Sequence, residues 1–497
     1  MTALEQYLGG LSDKRVGVIG AGVSNMPLIR MLRASGVRVT VHDKKEPTEL
    51  GDGYATLATL GVDFVLGEHY LDALDEDVIF RTPGVHPRFL EKAQAGGSEI
   101  TSEMELFFAV CPCPIIGITG SVGKTTTKDL LHALLSTQGE TVAPKGSFNN
   151  EIGLPLTALK VGERTRYLVA EMGANHIGEI ARLTKIAPPD IAVVLKVGVA
   201  HLGEFGSVER IAQAKSEIVR GEAPNAITVL NADDERVAAM SGIAKGDVFW
   251  FGIDKAQAHD IDGYMAADDI ALDDLGHPVF ELVSSQGVEQ RVSLGIGGRH
   301  NVMNALAAAS VAKLLGMPLE RIAQVLADTR RISPHRMAVS EVERDGARFT
   351  LIDDSFNANP DSMRAGIDGL MAWRSQEDQQ PYRVAVLGSM LELGSDEHNL
   401  HRTIGAYALD GGVDALICVG GGDDASLNAL AQDIADGGTE AKDADDMRPV
   451  RAVKTTQQAD DLIRALNAEH PDMLVLLKGS HASGLSALAT QWAAEAE

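Results

Sequence analysis

Gly117-Ile-Thr-Gly-Ser-Val-Gly-Lys-Thr-Thr126 has the spacing of a loop built to wrap phosphate. Its glycines let backbone N–H groups close on phosphate oxygens, and the helix that should follow offers its positive N-terminus. Lys124 can reach the terminal phosphates, and the Thr125 hydroxyl can ligate Mg²⁺. The usual pattern has a glycine five residues before Gly123. Ile118 stands there, so the loop is a variant. Gly120, Ser121, Gly123, Lys124, Thr125 and Thr126 are the candidate triphosphate set.

Other residues suited to chemistry follow in order. Glu171 ends an apolar run and opens Glu-Met-Gly-Ala-Asn-His176, and His201 sits in Ala200-His-Leu-Gly-Glu-Phe-Gly-Ser207. Mg²⁺ takes carboxylate and phosphate oxygens, so Glu171 suits a metal beside the loop. His201 alone reads as a capping or packed histidine. Lys215, in Ile211-Ala-Gln-Ala-Lys-Ser-Glu217, reads as a solvated surface lysine. Arg336 is suited to bidentate phosphate contact. Asp353 and Asp354 follow a strand, where a carboxylate can accept from ribose hydroxyls. The run Asn357-Ala-Asn359-Pro-Asp361 is a good turn sequence. Near the start, Gly17-x-x-Gly20-x-Gly22 with Asp43 after the next strand resembles a nucleotide-binding turn. Asn25 stands where a third glycine would complete the dinucleotide pattern, which argues against NAD.

The elements that must carry these residues alternate strand and helix. Strands are expected at 37–42, 115–119, 167–170, 191–196, 349–352, 382–387, 415–419 and 474–477, and helices at 25–35, 124–135 and 302–315. The acidic stretch Asp436 to Asp446 reads as a surface loop, and Cys111-Pro-Cys-Pro114 as a linker. Such alternation argues for an α/β protein of parallel sheets covered by helices, with ligands at the carboxyl ends of strands. A chain of 497 residues suggests about three domains. They are placed at 1–112, 113–333 and 334–497.

The formal charge of −26 disfavours nucleic acid and anionic membranes as partners. Three cysteines in so long a chain argue against a disulfide framework and fit a reducing compartment. No basic stretch followed by an apolar run opens the chain, and no run of about 20 apolar residues occurs, so a cytoplasmic protein without a membrane span is expected.

Taken in order, the motifs resemble those of the Mur ligases, which form amide bonds in peptidoglycan precursors. From Ile115 onward the resemblance is to the branch that adds D-alanyl-D-alanine to a UDP-N-acetylmuramoyl-tripeptide. It rests on Thr119–Lys128, Phe148-Asn-Asn-Glu-Ile-Gly-Leu-Pro-Leu-Thr157, the Glu171 and His201 runs, Asn231-Ala-Asp-Asp234, Asp353–Ser362 and Leu387-Gly-Ser-Met-Leu-Glu-Leu-Gly394. The first 110 residues lack that branch's Asp-Ser-Arg motif. Val16-Gly-Val-Ile-Gly-Ala-Gly-Val-Ser24 and Arg81-Thr-Pro-Gly-Val85 instead resemble the N-terminal domain of the D-glutamate-adding branch. The chain reads as a head of one branch on a body of the other, whether a natural mosaic, a reconstructed ancestor or an engineered fusion.

The resemblance implies a Rossmann-like N-terminal domain, a P-loop-type central ATPase domain and a Rossmann-like C-terminal domain that closes over it. It implies an ATP-dependent ligase, monomeric, working through an acyl phosphate with two Mg²⁺ ions. Lys124, His201, Lys215 and Arg336 would be the catalytic set. Thr125 and Glu171 would hold one metal, and His201 with a carbamylated Lys215 the other. Asn301 would face adenine, Asp353 or Asp354 the ribose, and Arg336 the γ-phosphate. Gly20, Ala21, Gly22, Val23 and Ser24 would meet the UDP diphosphate and Asp43 the uracil end. Asn149 and Asn150 would face the same substrate, and Asn357 and Asn359 the amine. The alternatives are D-glutamate addition to UDP-N-acetylmuramoyl-L-alanine, a folate-extending type of ligase, and a UDP-sugar-binding protein without activity.

Overall fold

The computed structural model describes residues 3–495, apart from 23–24, 83, 200–201, 254–262, 286, 345 and 374–379. The chain forms two compact units, Met1–Cys113 with Lys185–Ala187, and Pro114–Thr184 with Pro188–Glu497.

The first unit holds β1 (Arg15–Ile19), β2 (Arg38–Asp43), β3 (Asp63–Leu66), β4 (Val78–Phe80) and β5 (Glu99–Thr101). They form a parallel sheet in the order β3-β2-β1-β4-β5. The helix Asn25–Ala34 lays Leu28, Ile29 and Leu32 on it, one helical stripe against Val16, Val18, Val39 and Val41.

The second unit contains two sheets. The nine-stranded sheet comprises β6 (Ile115–Thr119), β7 (Glu140–Val142), β8 (Thr165–Glu171), β9 (Ile191–Val194), β10 (Ile227–Asn231), β11 (Val248–Gly252), β12 (Tyr264–Leu272), β13 (Pro278–Ser284) and β14 (Glu289–Ser293). Its order is β14-β13-β12-β11-β10-β9-β6-β8-β7. It is parallel from β7 to β12, and β13 and β14 extend it as an antiparallel ribbon that the strand–helix reading did not anticipate. The helices Lys124–Ser136 and Asn301–Leu314 share its core. The second of these is buried nearly all round because alanines 305, 307, 308, 309 and 312 let its neighbours approach closely.

The six-stranded sheet comprises β15 (Ala338–Arg344), β16 (Ala347–Asp353), β17 (Arg383–Gly388), β18 (Ala415–Val419), β19 (Val450–Val453) and β20 (Leu474–Lys478), in the order β15-β16-β20-β17-β18-β19. Only the edge pair β15–β16 is antiparallel among these.

Of the loop expected from Asp436 to Asp446, residues 436–440 are instead the last turn of a helix, Ala425–Glu440, and 441–446 are the turn that follows it. The helix's glycines are contact points, not breakers. A Cβ on Gly437 would collide with the Arg402 carbonyl, and one on Gly405 with the Ile434 carbonyl, so the helices 397–411 and 425–440 meet backbone to backbone. Gly437→Ala is therefore expected to destabilise the fold by about 1–3 kcal/mol, read by denaturant unfolding. An unchanged midpoint would show that the helices can part without cost.

Candidate active site

In the nine-stranded sheet the order reverses at β6, which lies between β9 and β8. The phosphate loop leaves the carboxyl end of β6, the place where open α/β sheets bind ligands. Gly123 caps the following helix in the left-handed region, at φ 84°. A Cβ there would also collide with Asn304 Oδ1, so glycine is required on both counts. Lys124 folds back over the loop, its Nζ donating to the Gly120 carbonyl at 2.8 Å.

A cavity of about 770 Å³ opens at this edge, walled by both sheets' loops. From the nine-stranded side come Gly120–Thr126, Asn149, Asn150, Glu171, Lys215 and Asn301. From the six-stranded side come Arg336, Asp354, Phe356, Asn357, Asn359 and Asp361.

Glu171, 1% exposed, ends β8. Its carboxylate accepts from Thr125 Oγ1 at 3.1 Å and from Asn149 Nδ2 at 2.9 Å. Arg336 Nη2 lies 3.5 Å from the same threonine hydroxyl, and its guanidinium sits 4.4 Å over the Phe356 ring. His335 and Met337, on either side of Arg336, both adopt positive φ, 61° and 50°. Non-glycine residues pay for that conformation, and it persists where the surroundings enforce it. Asp353 Oδ2 lies 2.7 Å from His335 Nδ1 and ties that residue to the end of β16.

Lys215 overturns its surface reading. It is 2% exposed on the helix Val208–Arg220, 5.8 Å over the Phe205 ring, with Nζ 3.5 Å from the Ala174 carbonyl. Burial, with the nearby Lys124 charge, pulls its pKa down to about 7. Lys124 is likewise shifted down, mainly by burial, against the pull of the Glu171 carboxylate. The cavity thus holds a lysine whose free amine is populated at neutral pH. Glu171 and Thr125 together offer the oxygen donors that Mg²⁺ takes beside phosphate. Among the described residues no three His, Cys, Asp or Glu side chains converge as a ready-made metal cage.

Other expected residues have partners inside the protein. Asn301 donates from Nδ2 to the Gly297 carbonyl and accepts from Asn304, whose own Oδ1 accepts from Thr127. Asp353 does not line the cavity, and its oxygens serve His335 and Ser355. Asp354 does line it, paired at 2.5 Å with the buried Lys478. Asn359 caps the helix Pro360–Ala372, and Asn150 accepts from the Ile152 and Gly153 amides. Asn357 Oδ1 accepts from the next residue's amide. His201, Val23 and Ser24 lie outside the described residues. In the first unit, Gly20 and Gly22 flank Ala21, whose N–H donates to Asp43 Oδ2 at 2.6 Å, so Asp43 pins the glycine turn after β1. Sequence reasoning missed Asn304, His335 and Phe356 as parts of the site.

Among the described residues, no helix is long and apolar enough to cross a membrane. The sequence profile of the Mur ligase middle domain matches residues 118–312, and that of the Mur ligase, glutamate ligase domain matches residues 335–481. The UDP-N-acetylmuramoyl-tripeptide--D-alanyl-D-alanine ligase of Mycobacterium tuberculosis is 43% identical over 377 residues, 76% of this chain and 72% of that enzyme. The UDP-N-acetylmuramoylalanine--D-glutamate ligase of Clostridium kluyveri is 36% identical over 306 residues, 60% of this chain and 62% of that one. The crystal structure of MurF from Acinetobacter baumannii covers 99% of this chain and 98% of its own, with a TM-score of 0.68 and 26% identity. The chain belongs to the Mur ligase family.

Proposed function

We propose that this protein joins D-alanyl-D-alanine to a UDP-N-acetylmuramoyl-tripeptide in the cytoplasm, using ATP and passing through an acyl phosphate. The observation that carries this reading is one cavity that unites the phosphate loop, Glu171 and Lys215 with Arg336 and the Asn357–Asp361 loop of the six-stranded domain. The likeness to the mycobacterial enzyme of that name supports the choice of substrates.

The chemistry follows from these side chains. A substrate carboxylate oxygen attacks the γ-phosphorus of ATP in line, the bond to the ADP oxygen breaks, and an acyl phosphate forms. Lys124 and Arg336 spread the charge on the phosphoryl oxygens, in a site where burial strengthens their effect. Mg²⁺ would be held by Thr125 and Glu171, and a second ion by His201 and a carbamylated Lys215. When bound, the metal supplies Lewis-acid neutralisation of phosphate charge. The amine then attacks the acyl carbon, and phosphate leaves from the tetrahedral adduct. Acyl phosphates hydrolyse, so water must be kept out. The two domains of the second unit meet where that matters: Gly203 N–H donates to the Glu392 carbonyl at 2.9 Å, and Lys196 Nζ lies 3.9 Å from Asp361.

D-glutamate addition is the second reading, supported by the first unit's glycine turn and by the clostridial relative. Phosphate release measured with paired substrates separates the two. Turnover is expected with the tripeptide nucleotide and D-alanyl-D-alanine. Turnover with UDP-N-acetylmuramoyl-L-alanine and D-glutamate, and none with the first pair, would overturn the proposal.

A further inference from the structure

Lys128 is a charged residue in an apolar place. It is 1% exposed on the phosphate helix, one turn beyond Lys124. A buried ammonium is costly unless its donors are all used, and an aliphatic side chain would serve stability as well or better. Two of its N–H donors have carbonyl acceptors, and a carboxylate stands beside the ammonium. Nζ lies 2.8 Å from the Pro144 carbonyl, 3.0 Å from the Gly146 carbonyl and 2.7 Å from Asp129 Oδ1. Those carbonyls belong to the segment that runs into Asn149, the residue that donates to Glu171. Gly173 leaves room for it, since a Cβ there would stand 2.8 Å from Asn149 Cγ.

Asp129 turns its other oxygen the opposite way. Oδ2 accepts from the Ser333 N–H at 2.8 Å, three residues before Arg336, on the connection into β15. Neighbouring residues on one rigid helix thus grip two distant segments. One segment delivers Asn149 to Glu171, and the other delivers Arg336 to Thr125 in the first turn of the same helix.

We propose that Lys128 and Asp129 are positioning residues for the ligase reaction, holding the Asn149 segment and the Arg336 segment in register with the phosphate loop. The proposal rests on the ligase reading, and wild-type turnover with the nucleotide and amine pair is the control that carries that reading by itself. Within it, two double-mutant cycles on the full chain test the positioning. Lys128→Met keeps the length of the side chain without its donors. It is expected to lower kcat by about 10²-fold, the usual effect of misplacing a site by about 1 Å. KM for ATP should change much less. Adding Asn149→Ala to it should lower kcat no further, because Lys128 acts through Asn149. Likewise Asp129→Ala and Arg336→Ala should not multiply. Asp129→Asn, which keeps an oxygen for the Ser333 amide, should recover most of the turnover that Asp129→Ala loses. Effects that multiply in both cycles would overturn the proposal, as would equal losses in Asp129→Asn and Asp129→Ala. The Asp129 variants keep it testable even if Lys128→Met does not fold.

Discussion

Lys124→Ala is expected to lower kcat by about 10²- to 10³-fold, the range for removing one preorganised charge-stabilising donor. The argument starts from where the ammonium is. It stands in the first position of a helix whose N-terminus already favours anions, within reach of the Gly120 carbonyl and the fields of Glu171 and Arg336. Burial lowers its pKa, so the protein charges this lysine against a desolvation cost that an arriving triphosphate repays. Beside the buried Thr125 and Glu171 the same charge acts more strongly on the developing phosphoryl oxygens than it would at the surface. Binding of the muramoyl nucleotide, followed by calorimetry, should persist in the variant. Arg336→Lys is the companion. It keeps a charge but loses the planar fork and the Phe356 contact, and it should recover only part of the activity that Arg336→Ala loses. A Lys124→Ala protein with more than about a tenth of wild-type kcat, or less than about 1.4 kcal/mol of lost barrier stabilisation, would remove the lysine from the reaction.

How much of this was legible beforehand depends on the range of the forces involved. The phosphate loop was readable because its chemistry is local: strand, glycine turn and helix start within ten residues. Strand positions such as Ile115–Thr119 and Ala415–Val419 were legible because buried parallel strands are continuous apolar runs. The stretch from Asp436 misled because a polar, acidic composition marks an exposed helix end as readily as a loop. The second group of parts was invisible for a different reason. Asp353 and Asp354 were both candidates for ribose, and nothing local in the sequence shows that Asp353 Oδ2 would lie 2.7 Å from His335 Nδ1, eighteen residues earlier. A carboxylate that positions another residue looks, in sequence, like one that binds ligand. Lys215 did carry a signal. It falls on the stripe of Ile211, Ala214 and Ile218, the buried face of its helix, and a lysine in phase with the apolar residues is a lysine with a reason to be there.

That lysine supports the second large effect. Activity is expected to require dissolved CO₂, and Lys215→Arg, which cannot form a carbamate, to lose about 10²-fold or more in kcat, the scale of removing a ligand from a charge-neutralising metal. Only the free amine attacks CO₂. An ordinary lysine is almost wholly protonated at neutral pH, whereas burial beside Lys124 brings this one to about 7, where a substantial share is free. The product is an anion with oxygen donors, in a cavity that already contains the Lys124 and Arg336 cations. The stability sign follows. The unfolded chain holds this proton up to its ordinary pKa of 10.5, while the folded chain releases it near 7, so unmodified Lys215 makes the fold more stable as pH rises between those values. Carbamylation removes the buried ammonium, so bicarbonate should raise the unfolding temperature of the wild type near pH 7 and leave Lys215→Met unmoved. Stripping CO₂ from enzyme and buffer should lower turnover, most at pH below 7, where the amine is protonated, and added bicarbonate should restore it. Full activity in CO₂-free buffer, with no bicarbonate effect on the thermal midpoint, would leave Lys215 as a buried amine and assign its part in the site to the amine itself.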